Sequence, residues 1–373
     1  MGHGSAKLFR RPAHRPPQEC QESRIPEQEA REHPDQNRPR RDHTLMTRHT
    51  MTQAPLRLQC FFGTSPRSRP RQQVVIEQPA YNTRMKTSEG GYRGRLAPSP
   101  TGLLHLGHAR TFSIAAERAR EEAGTLVLRN EDLDPERSRS EFVSAMIEDF
   151  RWLGIRWDEG PDCGGPYGPY SQSERREHYL AAWRQLYDAG FLYPCTCSRK
   201  DLEQAISAPN GLDDEPIYPG RCRLRTDRPR SKDPAGANWR FKVPDGEMVR
   251  FLDRHLGPQN FLAGRDFGDF IVWRRDDVPA YQLAVVVDDA AMRITEVVRG
   301  ADLLQSTARQ LLLYRACGWA PPAFYHTDLV FDEAGVRLAK RHDAFSIRHL
   351  RETGWTPEQV MGTSFAARGG DRP

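Results

Sequence analysis

No stretch of the 373-residue chain is apolar over the roughly 18–20 residues that a membrane-crossing helix requires, and its start holds no apolar run that could act as a signal peptide. Hydrophobic residues supply only 37% and charged residues 28%, and much of that polarity lies in the first 90 residues. Cysteine is too scarce and too unevenly placed for a disulfide scaffold. There are seven, an odd number with three clustered, which suits a reduced compartment and a metal site. The expected location is therefore cytoplasmic. No internal repeat is visible. The net charge of +5 and pI near 8.8 are mildly basic, which permits a nucleic-acid partner without demanding one.

What is present is unevenly distributed. Residues 1–90 are rich in Arg, Pro, Gln, Glu and His without a sustained period of 2 or 3.6. Such a segment cannot bury enough apolar surface to offset its ordering entropy, so a disordered Arg/Pro-rich tail is expected. Met85 falls just before the first credible strand, and residues 1–84 are expected to be dispensable. From 91 to 190 the pattern reads strand (Arg95–Ala97), helix (Ala109–Glu122), strand (Thr125–Arg129), then amphipathic helices at Ser140–Leu153 and Glu174–Ala189. A βαβ start of this kind predicts an α/β, Rossmann-like parallel sheet. Residues 191–270 change to short strands and loops, an inserted module. Residues 271–330 resume the helix and strand alternation, with Val285–Val287 and Ile294–Val298 as buried strand-like runs and a helix at Ser306–Cys317. Residues 331–373 hold a basic loop and a short helical piece.

Five constellations carry chemistry. The first runs from Arg95 to His108, with Pro98 and Pro100 in a turn and His105-Leu-Gly-His108 entering a helix. Gly102 and Gly107 allow close backbone approach to a ligand, and a helix start near Gly107 suits phosphate, with His105 and His108 three apart at its entrance. The second, Leu128–Arg137, crowds acids at a strand end where a cation must sit near them; Glu131 is a candidate for an α-ammonium group. In the third, Arg299 pairs naturally with Arg95 for a ligand with two carboxylates, because guanidinium recognises carboxylate in a planar, bidentate way. Tyr281 adds a hydroxyl. The fourth is the basic loop Val336–Asp343. The fifth is Cys195-Thr-Cys197 with Tyr218 and Cys222: three thiolates want a fourth ligand for tetrahedral Zn(II), which could be Tyr218, a water or His178.

The first constellation resembles the His-Ile-Gly-His motif of class I aminoacyl-tRNA synthetases, in the version of the glutamyl group. Four separated motifs follow in the family's order over about residues 92–365. The resemblance implies L-glutamate binding by Arg95, Leu96, Ala97, Pro98, Ser99, Glu131, Tyr281 and Arg299, and ATP binding by His105, Gly107, His108 and Lys340. Asn130 stands where an aliphatic residue is more usual. Lys340 takes the second lysine position of the family's Lys-Met-Ser-Lys-Ser loop, with Arg337, Ala339 and Arg341 departing from it. His105, His108 and Lys340 are the implied catalytic groups, with Mg(II) accompanying ATP. The resemblance also implies one structural Zn(II) per chain on Cys195, Cys197, Tyr218 and Cys222.

Only 33 residues follow Lys340, too few for an anticodon-binding domain. The chain on that count resembles the shortened glutamyl-Q tRNA(Asp) synthetases, in which glutamate passes to the queuosine base of tRNA(Asp). A monomer with no membrane partner is expected. Two alternatives are a conventional glutamyl-tRNA synthetase without its anticodon domain and a non-catalytic sensor of glutamate or its adenylate.

Overall fold

The computed structural model describes residues 91–198, 217–224, 233–330 and 346–362. The expected disordered tail and the basic loop with Lys340 lie outside them. Strand β1 (Arg93–Leu96), helix α1 (Leu106–Glu121) and strand β2 (Thr125–Leu128) form the anticipated βαβ unit, with β1 and β2 parallel in register from Arg93–Thr125 to Leu96–Leu128. Leu106, Ala109, Phe112, Ala115 and Ala119 put one helical face of α1 into the core. The return from α1 to β2 passes close to β1: a Cβ on Gly124 would lie 2.6 Å from the Tyr92 carbonyl, so only glycine fits.

Two helices extend this half. Helix α2 (Ser140–Trp152) buries Met146 and Phe150, and α3 (Arg176–Asp188) is followed by Gly190 at φ +79°, the left-handed stop expected of glycine after a helix. The second half repeats the theme. Strand β8 (Glu296–Gly300), helix α5 (Leu304–Cys317) and strand β9 (Ala323–Thr327) give another parallel pair. It adjoins the first, because Thr295 N donates to Arg93 O (2.9 Å).

The segment between them is less separate than its composition suggests. Strands β3 (Leu192–Cys195), β4 (Asn238–Phe241) and β7 (Phe270–Trp273) form an antiparallel sheet, so β7 pairs back across the expected boundary at 270. The hairpin of β5 (Met248–Asp253) and β6 (Gly257–Leu262) joins the sheet of β8 and β9, with Asp253 opposite Phe324. One apolar cluster joins Trp183, Trp239, Trp273, Val286 and Leu312. Two short helices, α6 (Ile347–Glu352) and α7 (Pro357–Gly362), close the described chain.

One expected strand is overturned. Val285–Val287 lies inside helix α4 (Tyr281–Ala291), where every residue from Leu283 to Asp289 is buried. Three β-branched residues favour a strand locally, but a short apolar run fits a buried helix equally well. The consequence is that Asp288 and Asp289, which follow the valine run on the same helix, are carried into the interior.

Where β8 begins, Glu296 is 1% exposed. It accepts from Arg118 (2.6 and 2.8 Å), Tyr92 (2.9 Å) and Arg254, tying α1, β1 and the β5–β6 turn together. Burial alone would raise its carboxyl, but Arg118 and Arg254 hold it below the usual range. Glu296→Gln should destabilise the protein by about 2–3 kcal/mol, less than a fully buried pair because both arginines keep some water. A depressed folded pKa means this contribution is present above the unfolded value of roughly 4.3 and is lost in acid. Denaturant melts should therefore show a gap between wild type and variant at pH 7 that narrows as pH falls through the folded-state value.

Candidate active site

A cavity of about 480 Å³ opens at the C-terminal ends of β1 and β8, lined among others by Arg95, Ser99, His105, His108, Glu131 and Tyr281. This is the place where ligands bind in open α/β sheets. Arg299, Ala97, Pro98 and Gly107 also line it. Leu96 is fully buried beneath it. Lys340 lies outside the described residues. The chain on either side of its segment does reach the site: Val330 lines the cavity, and Ile347 N donates to Leu104 O (2.7 Å) next to His105.

His105 and His108 build the start of α1. His105 is the N-cap, its Nδ1 accepting from Gly107 N (3.2 Å), while His108 Nδ1 accepts from His105 N (3.4 Å). A neutral imidazole that accepts at Nδ1 carries its proton at Nε2. Each ring can thus present an Nε2–H donor to a phosphate oxygen beside the positive end of the helix. The rings stack 3.7 Å apart, so two positive charges there would repel. Gly107 also serves in a way the sequence did not suggest: a Cβ would crowd the His105 ring at 3.1 Å. A Cβ on Gly102 would meet nothing within 4 Å, so the protein itself imposes no need for glycine there.

The wall opposite is ionic. Arg129, 0% exposed, bridges Glu131 (2.9 Å) and Asp289 (2.7 Å). It is the cation demanded by the acidic crowding, supplied from within the same motif. Asp289 also stands 3.6 Å from Arg95 Nε. Its neighbour Asp288 accepts from Arg175 (2.6 Å), Gln172 (2.8 Å) and Tyr179 (2.9 Å). Burial pushes the Glu131 carboxyl up and Arg129 counters only part of it, so Glu131 gains from a further cation such as an ammonium group. Arg129, Arg175, Asp288 and Asp289 were not singled out from sequence; two adjacent acids after a valine run were the available signal.

Two buried donors in this wall have no hydrogen-bond partner: Arg95 Nε, with Asp289 just out of reach at 3.6 Å, and Arg299 Nη1. Arg95 Nη1 donates to Val298 O (2.8 Å), Arg299 Nη2 to Thr307 (2.7 Å) and Arg299 Nε to His326 (3.2 Å). Buried polar atoms are rarely left unsatisfied, and anionic groups are the natural complement of guanidinium donors. Tyr281, first residue of α4 and 38% exposed, sits at the mouth.

A second constellation lies apart. Cys195, Cys197 and Cys222 place their sulfurs within 4.8 Å of one another, and Tyr218 Oη is 3.5 Å from Cys195 and 3.6 Å from Cys197. His178, the other candidate ligand, is exposed on α3 and is not part of the group. Arg240 donates to Cys195 Sγ (3.3 Å) and stacks over the Tyr218 ring (4.0 Å). Burial alone would raise the Cys222 thiol, but hydrogen bonds involving Tyr218 and Thr196 bring it to about 6. Deprotonated sulfur is the form that binds metal.

A family model described as "tRNA synthetases class I (E and Q), catalytic domain" matches residues 92–370. The chain belongs to that family. It is 52% identical over 273 residues to a glutamyl-Q tRNA(Asp) synthetase of Symbiobacterium thermophilum, covering 72% of this chain and 84% of the relative. It is 44% identical over 269 residues to glutamate–tRNA ligase 2 of Nitrosococcus oceani, covering 71% of this chain and 57% of that one. Among solved structures, a glutamate tRNA ligase of Elizabethkingia meningosepticum in complex with its amino acid aligns with TM-score 0.58 and 30% identity, over 71% of this chain and 53% of that one. The chain thus spans a little over half the length of these two ligases.

As a class I synthetase, the protein is an ATP-dependent ligase, and the two histidines are expected to do more than cap a helix. His105→Ala should cost about 1 kcal/mol through loss of the cap. His105→Asn, a good cap, should melt within about 0.5 kcal/mol of wild type yet lose about 10²-fold in amino-acid activation. Thermal melts and pyrophosphate exchange separate the two roles. Full activity in His105→Asn would leave the ring with capping alone.

Proposed function

We propose that the protein activates L-glutamate with ATP as glutamyl adenylate and transfers the glutamyl group to the queuosine base in the anticodon loop of tRNA(Asp). The observation that carries the amino acid is the pair of buried guanidinium donors without a hydrogen-bond acceptor, Arg95 Nε and Arg299 Nη1, on the wall that also holds Glu131. Glutamate brings two carboxylates for the two arginines and one ammonium for Glu131. An oxygen of its α-carboxylate attacks the α-phosphorus of ATP, and pyrophosphate leaves. No side chain need act as nucleophile. The histidine donors and the α1 dipole stabilise charge on the phosphates, Mg(II) accompanies ATP, and Lys340 adds a positive charge.

The acceptor is supported by similarity. The two relatives named glutamyl-Q tRNA(Asp) synthetase are 52% and 48% identical and are covered over 84% of their length. The test is transfer of labelled glutamate to purified tRNA with and without queuosine. Label should enter queuosine-containing tRNA(Asp) and survive periodate oxidation of the 3′ ribose, since the 3′ diol is not the acceptor. Transfer to tRNA(Glu), abolished by periodate, would instead establish a conventional glutamate–tRNA ligase.

The thiol cluster is proposed to hold one structural zinc on Cys195, Cys197, Tyr218 and Cys222. A tetrahedron with Zn–S near 2.3 Å has edges of about 3.8 Å, and Cys197 and Cys222 already stand 3.7 Å apart. Metal analysis should find about one zinc per chain, and Cys222→Ser should lose it while retaining much of the activation step. A zinc-free protein of full stability would remove the assignment.

Lys340 and Arg299 should fail differently. Lys340→Ala is expected to lower kcat of glutamate-dependent pyrophosphate exchange with little change in KM, because a phosphate-directed charge acts mainly in the transition state. Arg299→Ala should chiefly raise KM for glutamate, by about 10²-fold for loss of a charge-assisted contact. Identical kinetic profiles would contradict this division of the pocket.

A further inference from the structure

Behind Arg299 lies a buried chain of polar groups, His326, Asp253 and Thr307, none of which lines the cavity. His326 on β9 is 0% exposed and Asp253, at the end of β5, 1%. Asp253 Oδ1 accepts from the backbone N–H of His255 (3.0 Å) and Leu256 (2.8 Å), and Oδ2 from that of His326 (3.1 Å). The His326 ring brings Nδ1 to 2.6 Å from Oδ2. A carboxylate cannot donate, so Nδ1 carries the proton and Nε2 offers a lone pair. That lone pair faces Arg299 Nε at 3.2 Å and Thr307 Oγ1 at 3.0 Å. Thr307 in turn accepts from Arg299 Nη2 at 2.7 Å. Two of the three guanidinium nitrogens are therefore fixed from behind, and Nη1 is left for the cavity.

The chemistry of the acceptor matters as much as its position. Arg95 and Arg129 both lie beside the Asp289 carboxylate. Arg299 is held by an imidazole and a hydroxyl, and it joins no ion pair among the described residues. A carboxylate at the place of His326 Nε2 would orient the guanidinium equally well but would satisfy its charge. We infer that Asp253 and His326 form a positioning relay that aims Arg299 through a neutral acceptor, keeping its charge for the side-chain carboxylate, the group in which glutamate and glutamine differ, and so favouring glutamate. Burial lowers the His326 ring more than its bond to Asp253 raises it, consistent with a neutral ring at pH 7.

The inference rests on the glutamate assignment above, and two variants with two readouts keep the claims separable. In Asp253→Asn, the backbone donors His255 and Leu256 retain the amide oxygen at the Oδ1 position. The amide N–H then faces His326 Nδ1, reverses the tautomer and points an Nε2–H at Arg299. His326→Phe removes the acceptor but keeps an aromatic ring beside Phe251 and Phe324, 6.5 and 6.2 Å away. Pyrophosphate exchange with glutamate and with glutamine gives kcat and KM for each, and long-range 15N correlation spectra of the imidazoles give the tautomer. Both variants should raise KM for glutamate about 10-fold or more, leave kcat within about threefold, and leave glutamine kinetics almost unchanged. The His326 tautomer should be Nδ1–H in the wild type and reversed in Asp253→Asn. Unchanged KM for glutamate in both variants overturns the relay, as does an Nε2–H tautomer in the wild type. A wild type that activates no glutamate would instead overturn the glutamate assignment, and the tautomer would still decide whether Asp253 and His326 aim Arg299.

Discussion

The site depends on two aspartates delivered to the interior by a helix. Asp288 and Asp289 sit near the end of α4 with no contact to solvent, a placement that is unfavourable for isolated carboxylates. Arg175 and Arg129 neutralise them, and each arginine belongs to a different part of the chain. Arg129 follows β2 and reaches Glu131; Arg175 precedes α3 and also donates to the carbonyls of Tyr167 and Pro169. Breaking such a network leaves an uncompensated buried charge, a cost of about 3–5 kcal/mol. The wall of the cavity is consequently rigid, and the few donors it leaves unsatisfied are held in fixed positions.

Rigidity of this kind suits a reaction that needs no nucleophilic side chain. Positioning and electrostatic stabilisation can supply most of the catalytic effect when donors are already aimed at developing charge. Here the same atoms that form the fold do the aiming. The Nδ1 atoms of His105 and His108 are committed to backbone N–H groups, which sets the proton on the opposite nitrogen. A Cβ on Gly107 would crowd the His105 ring at 3.1 Å, so glycine leaves that ring undisturbed. Helix capping and phosphate recognition are thus one arrangement seen from two sides.

Much of this was legible from local chemistry. The βαβ unit, the helix start at the histidine pair, the stop at Gly190 and the grouping of three cysteines with Tyr218 all follow from short-range patterns that tertiary contacts did not override. Val285–Val287 was not legible, because β-branched residues in a buried helix carry the same local signal as a buried strand. The partners of Arg299 were hidden for another reason. His326 and Asp253 are separated by 73 positions, and only the pairing of β5 with β9 brings them together. The expected module at 191–270 had the right composition, yet hydrogen bonds between β4 and β7 and between β5 and β9 carry the sheets across its borders.

The central claim is that the cavity wall is a preformed receptor for a dicarboxylic amino acid. A crystal structure of the protein soaked with L-glutamate tests it most directly. The two carboxylates should lie within hydrogen-bonding distance of Arg95 Nε and Arg299 Nη1, with the ammonium group against Glu131 and little movement of Arg129 or Asp289. Glutamate bound with neither arginine in contact, or bound only after the Arg129–Asp289 pair separates, would contradict it.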